Sequence, residues 1–284
     1  PGLLPFGFDL GGGIARHVGR TFLDCVGVVM TAWAGVTAPG DRRTRGVGLG
    51  VWVKNAGLGG IARGCIRDLL WQKGVFMKIL FIHQNFPGQF KHLAPALAKA
   101  GHEVVALTLR VKKPGDWQGV KVLPYAVQRK QGQGAHPWVL DFDTKVIRGE
   151  ACFNAACQLR ARGFSPDIIA AHPGWGESMF LRDVWPEARI GLYYELYHIS
   201  SDEHLGFDPE FQAKVGRAEH LRIRLKNLNN RVHFPVGDLG ISPTEFQAGT
   251  FPPEFREKIS VIHDGIDTDH VVPNEGARLT LPDG

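Results

Sequence analysis

The chain changes character at Met77, and the stretch that begins there constrains the fold more than anything else in the sequence. MKILFIHQNFPGQFKHLAPALAKAGHEVVAL places an apolar run of strand length, Lys78–His83, before a loop, QNFPG. From Gln89 to Ala100, apolar residues recur at Phe90, Leu93, Ala94, Leu97 and Ala98, one stripe of a helix. Gly101 supplies the stop, and residues 102–109 read as a second strand. A strand, glycine turn, helix and strand in that order open an α/β domain.

The same alternation continues. Val120–Pro124 is a third strand, 140–163 a long helix, 166–172 a strand, 176–185 a short helix and 189–195 another strand. A basic helix is expected over 211–232 and a strand over 238–242. Ser242-Pro243-Thr244-Glu245 reads as a helix start, with Ser242 as N-cap and Glu245 as the capping-box return. KISVIH, 258–263, is the last strand. The fold class implied is α/β, a Rossmann-like parallel sheet with helices on both faces. Ligands of such sheets lie at the carboxyl ends of the strands. The segments to inspect are therefore QNFPGQ, AHPGWGES, YYELYH and HDGID.

Residues 1–76 read differently. They hold 17 of the 36 glycines, 9 Lys and Arg and 4 Asp and Glu, with no sustained period beyond a short helix near 61–71. The expectation is a poorly ordered or non-native leader ahead of a true start at Met77, with a basic partner-binding or membrane-surface arm as the alternative. GLGGIARG lacks the preceding strand and the GK[ST] of a phosphate loop. The remaining residues carry 24 charges of each sign, so the basic excess lies in the leader and no nucleic-acid partner is expected. Cys25, Cys65, Cys152 and Cys157 show no zinc spacing, so no metal is expected, and free thiols fit a cytoplasmic location. VGVVMTAWAGV, 26–36, is too short to span a membrane.

Four places could carry chemistry. Pro87, Gly88 and Gln89 sit where the first strand turns towards the helix; backbone N–H groups there could hold an anion, or the loop is a plain tight turn. No acidic residue closes the second strand, which disfavours NAD. His172 ends a strand ahead of Gly174, Gly176, Glu177 and Ser178, where the glycines let backbone approach a substrate. Glu177 and Ser178 read equally as helix-start residues. Glu195, with Tyr197 and His198, suits sugar hydroxyls, or forms a solvated rim. Arg217, Arg222, Arg224, Lys226 and Arg231 form either a solvated basic face or contacts to an anionic acceptor or membrane surface.

Taken together, MKILFIHQNFPGQFKHLAPALAKAGHEV, SPDIIAAHPGWGESMFLRDVWP and ISPTEFQAGTFPPEFREKISVIHDGIDTD resemble the first domain of family 4 glycosyltransferases of the GT-B fold. The resemblance covers 77–273 and implies transfer of a sugar from a nucleotide-sugar to a saccharide or lipid-linked acceptor. It implies retention of configuration, a nucleotide-sugar as co-substrate rather than a cofactor, and no metal. Pro87, Gly88 and Gln89 would face the diphosphate and His172 the transferred sugar. Gly174, Gly176, Glu177, Glu195 and Tyr197 would meet the acceptor. Gly265 and Asp267 would form the hinge to a second domain, with 274–284 a truncated linker. His263-Asp264 stands where the family pattern has Asn before the glycine. The donor-gripping residues of that family lie in the second domain, so the chain alone is expected to be inactive; peripheral contact with the inner membrane face fits the basic helix. The alternative is a non-catalytic Rossmann-like module that binds a sugar or a partner.

Overall fold

The computed structural model describes residues 76–199, 210, 216–265, 271–274, 276–278 and 280. The expectations placed on the leader, on Asp267 and on Cys25 and Cys65 fall outside the described residues.

The described strands are β1 (Lys78–Ile82), β2 (Glu103–Thr108), β3 (Gly115–Trp117), β4 (Val120–Pro124), β5 (Ile168–Ala171), β6 (Arg189–Tyr193), β7 (Leu239–Ser242) and β8 (Ile259–Val261). They make one sheet in the order β3-β4-β2-β1-β5-β6-β7-β8. The chain starts at the centre, works out to one edge, then crosses back over β1 to build the other side. Order reverses between β1 and β5, and at such a switch point a crevice opens above the strand ends.

Every pairing is parallel except β3 with β4. No sequence pattern announces that antiparallel edge strand. Gln118 (φ 53°) and Gly119 (φ 82°) are both left-handed, as a two-residue hairpin turn demands. Asp116 Oδ1 accepts from Gly119 N–H and fixes the turn.

Strand side chains alternate between two cores. Leu80 and Ile82 join Val105, Leu107, Ile169 and Ile190 beneath α2 (Leu140–Ala161) and α3 (Leu181–Val184). Ile79 and Phe81 face the other way, against Leu93, Ala94 and Leu97 of α1 (Leu93–Lys99). All four of these β1 side chains are fully buried. Burial of each favours folding by about 1.5–3 kcal/mol, which is why this run of four apolar residues holds the sheet's centre.

Helix boundaries depart from the periodic reading where local chemistry intervenes. The helix expected from Gln89 is a 3-10 turn, Gly88–Phe90, followed by α1 from Leu93. Pro95 gives the reason: proline fits the first turn of a helix but not its interior. The helix expected over 176–185 is only α3, because Gly176 is left-handed at φ 99° and turns continue to Phe180. The basic helix is two helices, α4 (Arg217–Lys226) and α5 (Leu228–His233), broken at Asn227. The cap at 242–245 lies two residues later than expected. Thr244 Oγ1 accepts from Gln247 N–H and donates to its side chain, opening α6 (Glu245–Gly249). Ser242 is instead buried in β7, donating to Tyr194 O. A last short helix, α7 (Pro253–Arg256), packs Phe255 into the first core.

Candidate functional site

β1 and β5 run parallel and in register, Ile82 opposite Ala171, so the next residues, His83 and His172, stand side by side at the carboxyl edge. Their rings lie 5.4 Å apart and nearly perpendicular. His172 is held on both faces, by Trp175 at 4.4 Å and by Tyr193 at 5.5 Å. Trp175 also meets the edge of His83 at 4.9 Å.

The same backbone device orients both imidazoles. Asn85 N–H donates to His83 Nδ1, and Gly174 N–H donates to His172 Nδ1, each at 3.0 Å. A nitrogen that accepts from a backbone N–H carries no proton, so each ring proton lies on Nε2. His83 Nε2 donates to Gln89 Oε1 at 2.6 Å, and His172 Nε2 donates to Glu195 Oε2 at 3.2 Å. His263, just past β8, takes the same N–H contact from Gly265.

Glu195 is where this constellation meets solvent. Its side chain is 51% exposed, whereas that of His172 is 3% exposed. The hydrogen bond from His172, more than any other influence, holds the Glu195 carboxyl below its usual range, against the effect of burial. His83 is pushed down to about 4, first by burial and then by the nearby His172. At neutral pH the site therefore presents a carboxylate and an uncharged His83.

Loop geometry explains the glycines. Gly88 is left-handed at φ 46°, and a Cβ there would lie 2.3 Å from the His83 ring. A Cβ on Gly176 would lie 2.2 Å from the Lys145 carbonyl oxygen of α2. Both loops are pressed against their neighbours rather than held open. The N–H groups around Gly88 belong to one 3-10 turn, so the expected helix dipole is short there.

The structure brings together His172, Gly174 and Glu195 and leaves others apart. Glu177 points inward: it is 1% exposed, and its Oε1 accepts from Tyr125 OH at 2.7 Å. Burial raises its carboxyl above the ordinary range. Tyr197 packs on Phe251 and Phe255, away from the histidines. Gly265 is left-handed at φ 78° beside Asp264, whose carboxylate accepts from Tyr193 OH at 2.9 Å. Pro87 and Gln89 flank Gly88, with Gln89 tied to His83.

Sequence reasoning missed His83, Trp175, Tyr193 and Asp264. It also missed the role of Asn227, Asn229 and Asn230. Asn229 Nδ2 donates to Pro173 O in the His172 loop. Asn227 accepts from His198 N–H and donates to His198 O, and Asn230 donates to Leu196 O. One helix junction thus grips both loops that carry the site. The signal was the run NLNN, three amides in four residues where a solvated helix has no use for them. Among the described residues no three His, Cys, Asp or Glu side chains gather as a metal-ligand set. No helix among them is long and apolar enough to cross a membrane.

The profile of the glycosyl transferase family 4 group matches residues 100–271. No curated protein matches the sequence. Among solved structures, a sucrose-phosphate synthase from Thermosynechococcus elongatus is similar at 13% identity and TM-score 0.42, covering 67% of this chain and 90% of that one. The catalytic domain of starch synthase IV from Arabidopsis thaliana, bound to ADP and acarbose, is similar at 13% identity and TM-score 0.43, over 69% of this chain and 53% of that one. The calicheamicin glycosyltransferase CalG4 is similar at 17% identity and TM-score 0.36, over 69% and 53%. The chain thus spans about half the length of the latter two.

Proposed function

The chain belongs to the glycosyl transferase family 4 group, and from that premise we propose that it serves sugar transfer from a nucleotide-sugar donor to an acceptor hydroxyl. In this reading, residues 77–273 are the acceptor-side domain of a GT-B enzyme. Transfer proceeds with retention, and a second domain supplies the grip on the donor. His172 lies by the transferred sugar, and Pro87, Gly88 and Gln89 face the diphosphate. Gly174, Glu195 and Tyr197 border the acceptor, while Gly176 and Glu177 support that wall from within. Gly265 and Asp267 act at the hinge.

One observation carries the reading: the His172–Glu195 pair at the switch point. A sugar hydroxyl both donates and accepts hydrogen bonds. Glu195 offers a carboxylate to accept, and His172 offers an Nε2–H to donate, 3.2 Å apart. A hydroxyl inserted beside them satisfies both and keeps the carboxylate paired. The rings on either side of His172 fix its plane, so little ordering is left to the moment of binding.

The test is to titrate the chain, joined to a family donor domain, with UDP-, ADP- and GDP-sugars and follow the imidazole signals of His83 and His172 by NMR. We expect at least one nucleotide-sugar to shift both. In Glu195→Gln and His172→Ala, affinity should fall about tenfold or more, the loss of one charge-assisted hydrogen bond. Ring signals that stay put across the panel, or variants that bind as well as the parent, would sink the reading. Transfer assays with the chain joined to a family donor domain, with the anomeric proton of the product read by NMR, check retention.

A further inference from the structure

Beside the site lies a cavity of about 660 Å³ that the reaction site does not account for. Its size is that of a small-ligand pocket, which runs roughly 300–1,000 Å³. Trp138, Tyr197, Leu225 and Phe251 give it an apolar lining, and Arg224, Arg231 and His198 border it. One wall is the segment 197–199, which begins two residues after Glu195.

That wall is pre-formed. Tyr197 N–H donates to Thr250 Oγ1 at 2.9 Å, and Asn227 and Asn230 hold the residues on either side. Tyr197 is braced by Phe251 and Phe255, and the Arg231 guanidinium sits 6.0 Å over its ring.

The charge at the mouth is one-sided. Among the described residues, Glu219 of α4 is taken by Arg222, and Asp141 is taken by Lys145. Neither Arg224 nor Arg231 has a carboxylate partner among the described residues. His198 is held below its usual range, first by burial and then by the charges of Lys226 and Lys145, which reports the same positive field. A merely solvated basic face has no need of an aromatic cavity under its arginines.

We propose that this cavity binds the acceptor, and that the acceptor is an anionic amphiphile: an apolar or aromatic body in the cavity, and a phosphate or carboxylate on Arg224 and Arg231. The inference rests on the acceptor-side reading above, because the chain runs from Glu195 of the histidine site straight to Tyr197 of the cavity wall. An anion suits guanidinium groups, which offer paired N–H donors to planar or tetrahedral oxygens. The apolar body replaces water against Trp138, Leu225 and Phe251.

The experiment is calorimetric titration of the chain, without donor, with 1-naphthyl phosphate, 1-naphthol and inorganic phosphate. Naphthyl phosphate should bind at least about tenfold more tightly than either half, and the Arg224→Gln/Arg231→Gln double variant should lose about tenfold or more. Both arginines are exposed, so the variant should keep the parent's melting temperature. Leu225→Trp, which fills the apolar part, should weaken naphthyl phosphate without weakening phosphate. Flotation with phosphatidylcholine vesicles, with and without phosphatidylglycerol, separates the sources. Arginine-dependent flotation on the anionic vesicles assigns a lipid headgroup; naphthyl phosphate binding without flotation assigns a soluble ligand. The proposal is overturned if naphthyl phosphate fails to bind, or binds equally to the double variant. Because donor is absent, that failure would leave the nucleotide-sugar titration of His83 and His172 as an independent test of sugar transfer.

Discussion

Lowering the pH should weaken the fold through His233. His233 is 0% exposed on α5, with Nδ1 donating to the Asn229 carbonyl at 2.8 Å and Nε2 without a partner among the described residues. Burial, only partly opposed by that hydrogen bond, lowers its pKa from 6.5 to about 4. A histidine with a lowered folded-state pKa favours folding fully above its unfolded value. That contribution is lost as pH falls, because the unfolded chain takes up the proton first. The window runs from 6.5 down to about 4. Integrating the proton uptake between about pH 7.5 and about pH 4.5 gives a loss of about 2.5 kcal/mol from this one group. That is a large part of a total stability of roughly 5–15 kcal/mol. Urea unfolding at both pH values, on the parent and on His233→Gln, isolates it, since other titrating groups are common to both proteins. We expect the parent to lose about 2.5 kcal/mol more than the variant over that interval. If the two lose the same within about 0.5 kcal/mol, His233 does not titrate as a buried neutral imidazole and the reasoning fails.

Gly176→Ala should cost about 3 kcal/mol or more, combining the left-handed backbone with the clash against the Lys145 carbonyl. Gly163→Ala, also left-handed at φ 87° but with open space around it, should cost only about 1–2 kcal/mol; equal melting temperatures for the two would contradict this. Nitrogen-15 spectra near neutral pH should show His83 protonated on Nε2 alone, and Asn85→Pro, which removes the N–H donor to Nδ1, should let the other tautomer appear. Glu177→Gln should leave stability at neutral pH unchanged or higher, because a carboxyl whose pKa burial raises loses stability as pH rises through the folded value. Glu177→Ala strands the Tyr125 hydroxyl and should cost about 1–3 kcal/mol in thermal unfolding.

Much of the sheet was legible because parallel strands buried on both faces are written as apolar runs. KILFI, EVVALT and IIAA needed no partner to be recognised. β3 was not, because GDW has neither length nor apolar run and exists only as an edge beside β4. His172 and Glu195 were readable from their place at strand ends. His83 holds the equivalent place on β1 and was overlooked, since only the register of β1 with β5 makes the two histidines neighbours. Glu177 failed for the opposite reason. Its sequence position suits a helix start, but the left-handed Gly176 turns the chain so that the carboxyl faces Tyr125 instead of the cleft. The asparagines at 227, 229 and 230 act on loops far away in sequence, which no local period can show.

The strand order also has a consequence in time. The chain passes once from the half holding β1 to β4 to the half holding β5 to β8, through the exposed stretch 126–134. The seam between the halves is β1 against β5, where Lys78 and Asp167 are joined across 89 residues of sequence. Long loops close more slowly than short ones, so β1 should find β2 before it finds β5. Each half carries one histidine of the pair, and neither can have its partner until the seam has zipped. Pulsed hydrogen exchange during refolding should protect β1 amides bonded to β2 ahead of those of β5. The candidate site would then be among the last features of the domain to come into being.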